Sequence, residues 1–181
     1  MEESRMDQFP IYSEDSAPED SKLILDQVKK QYGFIPNLLG IMAESTDLLQ
    51  GYLTLSTLFS QTTLTTIEQQ IVLLSSSAAN CCDYCMAAHG KMALQAGVEK
   101  DLIDSIFNGE TLSNQKLEAL NQFVFDVVAT RGFPTEKVTQ NFLDQGYTQK
   151  NILEVILGVG MKTLSNYTNH IAHTPIDQIF K

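Results

Sequence analysis

Little in this 181-residue chain is basic: 12 lysines and arginines face 22 aspartates and glutamates, for a formal charge of -10. Such a field repels phosphate backbones and anionic lipid surfaces, so neither nucleic acid nor a membrane is expected as a partner. No run approaches the roughly 18 apolar residues of a membrane span, and no basic segment precedes an apolar stretch at the amino terminus. A cytoplasmic protein is expected. Alternation of apolar and polar residues over strand lengths is missing, as is any fixed-period repeat, which argues against a sheet and against a solenoid. There is no Gly-rich phosphate loop or nucleotide fingerprint. The 3 cysteines, Cys81, Cys82 and Cys85, fall within five positions and cannot staple distant parts of a fold. In a reducing compartment such clustering points to redox chemistry or metal binding.

What is present is apolar periodicity of helical spacing. With 43% hydrophobic and 19% charged residues the chain has the composition of one packed domain. Seven acids (Glu2, Glu3, Asp7, Glu14, Asp15, Glu19 and Asp20) against Arg5 crowd residues 1–20, which predicts a flexible acidic leader and a helical domain over 21–181. Leu23, Ile24, Leu25, Val28 and Tyr32 mark a helix from Ser21 that ends at Gly33. Pro36 opens a short helix through Met42, and Ser45 caps the next, through Leu58. Thr65-Thr66-Ile67-Glu68 is a capping box, predicting a helix from Thr66 to about Ala79. Cys82 to Ala96, Glu99 to Phe107, Asn114 to Arg131, Glu136 to Gln145 and Gln149 to Ala172 complete an all-α series of about eight helices. Gly158 and Gly160 weaken the last helix by up to ~1 kcal/mol each unless close helix or subunit packing offsets it.

Cys82, Cys85 and His89 are spaced by three and four residues, which places them along one face at a helix start. Unpaired first-turn amides and the positive end of the helix dipole favour a thiolate there. His89 can take the proton of Cys85, and Cys82 can resolve a sulfenic acid on Cys85 into a disulfide. Two electrons are then carried without a bound cofactor. Zinc held by the same three side chains is the alternative, as is plain burial. Cys81 points about 100° away from Cys82 if both are helical, and reads as a bystander.

The segment Leu64 to Ala96, in which Glu68-Gln69-Gln70-Ile71-Val72-Leu73-Leu74 runs into Asn80-x-Cys82-x-x-Cys85-x-x-x-His89, resembles the alkyl hydroperoxidase D (AhpD) and carboxymuconolactone decarboxylase superfamily. Tyr32-Gly33-Phe34-Ile35-Pro36-Asn37-Leu38 and Asn166-Tyr167-x-Asn169-His170-Ile171-Ala172-x-Thr174-Pro175 resemble its peroxidase-related branch, so the likeness covers about residues 21–178. The resemblance implies an AhpD-like helical bundle assembled as a homotrimer or homohexamer. It implies a peroxidase in which Cys85 attacks a hydroperoxide and Cys82 resolves, with a dithiol or lipoyl-bearing protein as reductant.

The family motif is Glu-x11-Cys-x-x-Cys-x3-His, with Glu and His relaying protons to the second cysteine; the position of that Glu is Gln70 here. An amide can bind water but cannot take up a proton at neutral pH. Glu68 is the nearest carboxylate, although two residues on a helix subtend about 200° and Glu68 already has a capping role. Tyr84 and His170 are the other candidate relay groups, while His173 reads as a helix-dipole residue without a catalytic role. Outside peroxidase chemistry stand a redox-sensing oligomeric module and the lactone decarboxylase side of the superfamily, which typically lacks the cysteine pair.

Overall fold

The computed structural model describes residues 9–181. Among these the elements are α1 (Glu19–Tyr32), α2 (Asn37–Met42), α3 (Thr46–Ser60), α4 (Thr66–Ala79), α5 (Asp83–Gln95), α6 (Lys100–Asn108), α7 (Gln115–Ala129), α8 (Glu136–Asp144) and α9 (Gln149–Ala172), then a 3-10 turn at Gln178–Phe180. The all-α expectation holds, with nine helices where about eight were expected. The short α2 is a helix of its own because Ser45 stops and restarts the chain, its hydroxyl accepting from Leu48 N at 3.3 Å. The predicted capping box opens α4: Thr65 accepts from Glu68 N at 3.3 Å and Glu68 accepts from Thr65 N at 2.8 Å.

The leader expectation needs correction over part of its length. Residues 1–8 lie outside the described residues, but from Phe9 onward the segment is placed against the domain. Tyr12 N donates to Gly40 O at 3.2 Å, Ala17 is buried and α1 already begins at Glu19. Two of the acids that suggested flexibility are paired, Glu14 with Lys29 and Glu19 with Lys22. A Cβ on Gly40 would stand 2.8 Å from Tyr12 O, so only glycine lets this segment lie on α2.

The centre of the fold is α4, packed against α5, α6, α7 and α9. Its Ile71, Val72 and Leu74 join Phe59, Leu120, Phe123, Val124, Phe142 and Val155 in the larger apolar core. Phe142 is sandwiched there, with Phe123 at 4.4 Å and Tyr147 at 4.2 Å between ring centroids. Burying such a ring contributes about 1.5–3 kcal/mol. A second cluster joins α1, α2, the start of α3 and α5 through Leu25, Val28, Leu39, Met42 and Leu49, and it includes both Cys82 and Cys85.

Helix α9 crosses both clusters. A Cβ on Gly158 would come within 2.7 Å of Phe59 and 2.8 Å of Val72, which is the close approach expected of a mid-helix glycine. Gly160 meets nothing within 4 Å, so that explanation covers Gly158 alone. The inward face of α9 is apolar through Val155, Gly158 and Met161, and then turns polar at Lys162, Ser165, Asn166 and Asn169, all buried.

Candidate dithiol site

The turn between α4 and α5 sets the cysteines. Helix α4 ends at Asn80; Cys81 adopts the left-handed conformation at φ 53°, and Cys81 N and Cys82 N each donate at 2.9 Å, to Ala78 O and Ser77 O. This is the hydrogen-bond pattern of a Schellman stop, with cysteine in the place glycine usually takes. The reversal makes Cys82 the N-cap of α5, in extended conformation, and Asp83 its first helical residue. The expected helix start at Cys82 therefore moves by one residue, and the pair meets because Cys82 caps the turn that carries Cys85. Cys82 and Cys85 approach to 3.5 Å and are both buried, whereas Cys81 is exposed.

Polar side chains of α9 close over the sulfurs. Asn169 Nδ2 donates to Cys85 Sγ at 3.2 Å and to Cys82 Sγ at 3.7 Å, and Ser165 Oγ stands 3.8 Å from Cys85 Sγ. Asn166 Oδ1 accepts from Asn80 at 2.9 Å, tying α9 to the turn. Lys162 is 0% exposed and its Nζ has no hydrogen-bond partner among the described residues; it acts on the dithiol through its charge. The hydrogen bond from Cys82, opposed by burial and aided by Lys162 and Ser165, holds the Cys85 thiol well below its ordinary pKa. Cys82 moves the other way, raised first by that same hydrogen bond and then by burial and the charge on Cys85. The pair thus has a defined polarity: the thiol pKa is lowered at Cys85 and raised at Cys82.

A cavity of about 520 Å³ opens beside Cys85 and runs past His89 to Gln70. Cys85 lines it and Cys82 does not. Its walls include the rings of Tyr32, Phe34, Tyr52, Phe59, Tyr84 and Phe180, and its charged lining residue is Lys91. Burial, reinforced by Lys162, lowers the His89 pKa so that its imidazole is neutral, and His89 Nδ1 has no partner. Gln70 Oε1 is likewise buried without one. Two polar atoms without partners in one cavity leave room for a bound water or a substrate hydroxyl.

The structure therefore brings Cys82, Cys85, His89 and Gln70 to one site, engages the hydroxyl of the cavity-lining Tyr84 elsewhere, and leaves Glu68 and His170 outside the cavity. Glu68 is committed to Thr65 and to Lys116, whose Nζ is 2.9 Å from its carboxylate. Burial opposes its charge, but these partners outweigh that and hold its pKa below the usual value. It does not line the cavity, and is a structural carboxylate rather than a relay acid. Tyr84 donates to Asp177 at 2.6 Å and accepts from Leu38 N at 3.3 Å, so its hydroxyl clamps α5 to α2 and the carboxyl-terminal segment. His170 is exposed on the last turn of α9 and stands outside the cavity, and His173 ends that helix at φ 50°.

Residues to which sequence reasoning gave no role are Lys162, Ser165, Asn169, which donates to both sulfurs, and Asn80 and Asn166, which tie the turn to α9. The signal was there: Lys162, Ser165, Asn166 and Asn169 recur at spacings of three and four on the face that is apolar one turn earlier. Among the described residues no group of three or more His, Cys, Asp and Glu side chains is arranged to hold a metal ion, and no helix is long and apolar enough to cross a membrane.

Residues 47–122, which contain the whole motif from Glu68 to His89, match the sequence model of the carboxymuconolactone decarboxylase family. No curated protein matches the chain. Among solved structures, the AhpD core of a peroxidase-related protein from Ralstonia eutropha JMP134 superposes with a TM-score of 0.84 at 19% identity, over 96% of this chain and 93% of that one. The debrominase Bmp8, as an alanine-substituted form bound to 2,3,4-tribromopyrrole, gives 0.80 at 16% identity over 98% and 95%. A peroxidase-related protein from Silicibacter sp. TM1040 gives 0.79 at 16% identity over 95% and 91%. At these identities the likeness is one of fold. The family match over 47–122 and the motif, on an AhpD-like fold, support placement in the AhpD-like and carboxymuconolactone decarboxylase superfamily.

Proposed function

We propose that this protein is a dithiol peroxidase that reduces organic hydroperoxides. One observation carries the reading: of two sulfurs at 3.5 Å, the one whose thiol pKa is lowered is the one that faces the cavity. The Cys85 thiolate attacks the terminal peroxide oxygen; an S–O bond forms, the O–O bond breaks, and the alkoxide leaves with one proton from a donor in the site. The Cys82 sulfur then displaces the hydroxyl of the sulfenic acid, its own proton leaves as water, and the Cys82–Cys85 disulfide holds the two electrons lost. Neutral His89 positions the peroxide or its water at the mouth of this path. The electrons return from a dithiol or lipoyl-bearing protein. Self-association, as a trimer or hexamer, is supported by Leu153, Ile156, Tyr167 and Ile171, which form an exposed apolar stripe along the outer face of α9.

A second reading is favoured by the ring-lined cavity: reductive removal of bromine from an electron-rich aromatic. The same thiolate would take the bromine, the ring carbon would take a proton, and Cys82 would displace bromide to give the same disulfide.

The test is to reduce the protein under chelation, add one equivalent of cumene hydroperoxide, alkylate and map the free thiols by mass. Rapid loss of two thiols at Cys82 and Cys85, with Cys81 still free, is expected. Unchanged thiols overturn the peroxidase reading, and the same loss with a bromopyrrole alone moves the second reading to the front.

A further inference from the structure

A buried ammonium without a hydrogen-bond partner is costly unless an opposite charge faces it. Lys162 is such a group, and the charge that faces it belongs to the reactive sulfur. Lys162 lies buried one turn before Ser165, whose Oγ donates to Lys162 O at 3.1 Å and stands 3.8 Å from Cys85 Sγ, and its charge acts on Cys82, Cys85 and His89 of α5. From α3 the titratable group beside the dithiol is Tyr52, partly buried, its pKa raised first by burial and then by Cys85. Helix α2 has no titratable residue. The acids of α4 and α7 are engaged elsewhere, Glu68 with Lys116, Glu118 with Leu112 N and Gln122, and Asp126 with Thr135. On α9 itself Glu154 binds Thr63 and Asn151. No carboxylate among the described residues pairs with Lys162.

When Cys85 is oxidised its negative charge disappears, and nothing else in the site replaces it. We infer that Lys162 is a redox-linked proton carrier: an ammonium against the Cys85 thiolate in the reduced protein, and a neutral amine beside the Cys82–Cys85 disulfide. On the peroxidase reading, its proton is the one that the departing alkoxide takes. Thiolate, ammonium, Cys82 thiol and ROOH become disulfide, amine, ROH and water, with charge, atoms and electrons balanced and no proton drawn from solvent. Reduction by an external dithiol returns the proton to Lys162 together with the thiolate. Lysine suits this role because it releases its proton when it loses its counter-charge in a buried place, which arginine does not do.

The experiment is the disulfide equilibrium with dithiothreitol between pH 6 and 8, read by quench alkylation and intact mass, alongside the thiolate absorbance of the reduced protein. Dithiothreitol gives up two protons with its two electrons in this range. A protein that takes up two has a pH-independent equilibrium constant, and one that takes up only the Cys82 proton has a constant rising tenfold per pH unit in favour of its reduction. In the native protein a constant that changes less than threefold over this range is expected, with a thiolate already present at pH 7. In Lys162→Arg, which keeps the charge and cannot discharge it, the tenfold dependence is expected. A tenfold dependence in the native protein overturns the inference. So does a pH-independent constant with a Cys85 thiol that titrates near its ordinary value, since the proton would then sit on sulfur. Failure of the disulfide to form under diamide overturns it as well. Because no hydroperoxide enters this measurement, a supporting outcome stands even where the peroxide test fails, and the two readings fail separately.

Discussion

The two halves of α9 present the same inward face to the same bundle and do opposite things with it. The first half is apolar, and at Gly158 it lets Phe59 and Val72 come close enough to exclude any side chain. The second half buries Lys162, Ser165, Asn166 and Asn169 where further apolar residues would have packed at no desolvation cost. One half is a stability device. The other accepts a cost in stability to hold a charged sulfur, and buried polar groups concentrated on one stretch of a core helix mark where chemistry displaced packing.

The sharpest way to break the comparison is at the sulfurs. Cys85→Ser is expected to abolish hydroperoxide turnover with the helical fold intact by circular dichroism, and Cys82→Ser to leave a sulfenic acid on Cys85 that dimedone traps. Full activity in the first variant would reverse the assignment of roles. In the apolar half of the fold, Phe142→Ala removes the middle ring of the Phe123–Phe142–Tyr147 stack and should lower unfolding free energy by about 3–5 kcal/mol in denaturant melts. The thiolate absorbance at pH 7 should not change; a change would mean that the two clusters are not separable.

A smaller effect sharpens the polar half. The folded Cys85 pKa lies below that of the unfolded thiol, about 8.5, so between the two values the unfolded state binds more protons. The stability this group contributes is complete above the unfolded value and is lost as pH falls through the folded one. Lys162→Met should raise the folded value, cutting the thiolate fraction at pH 7 at least tenfold, about 1.4 kcal/mol, with recovery by pH 9. An unchanged titration would remove Lys162 from the site. The smallest effect belongs to Glu68→Gln, which weakens a cap and an ion pair and should cost about 1 kcal/mol of stability. Turnover within twofold of the native protein is expected, and a large loss would return Glu68 to the relay.

Much of the helical order was legible because caps are local. Thr65 with Glu68, Ser45, and the glycines after α1 and α6 report their own neighbourhoods, so the helix boundaries fall within a residue or two of expectation. The leader was misread over residues 9–20 because its acids look solvent-bound until α1 supplies Lys22 and Lys29. Cys82, Cys85 and His89 were legible from their spacing, since that spacing belongs to one turn and one helix. Glu68 was overvalued for the same reason: a carboxylate near the motif in sequence is not near it in space when Lys116, from another helix, claims it.

Sequence by itself determined the helices, their caps and the cysteine pair with its histidine, all of which are matters of short-range spacing. The tertiary structure alone decided which sulfur is held at the lower pKa. That choice depends on Asn169, Ser165 and Lys162, about 80 residues further along the chain from Cys85. An electrostatic field at a sulfur is the sum over whatever the fold packs around it, and no local pattern encodes that sum.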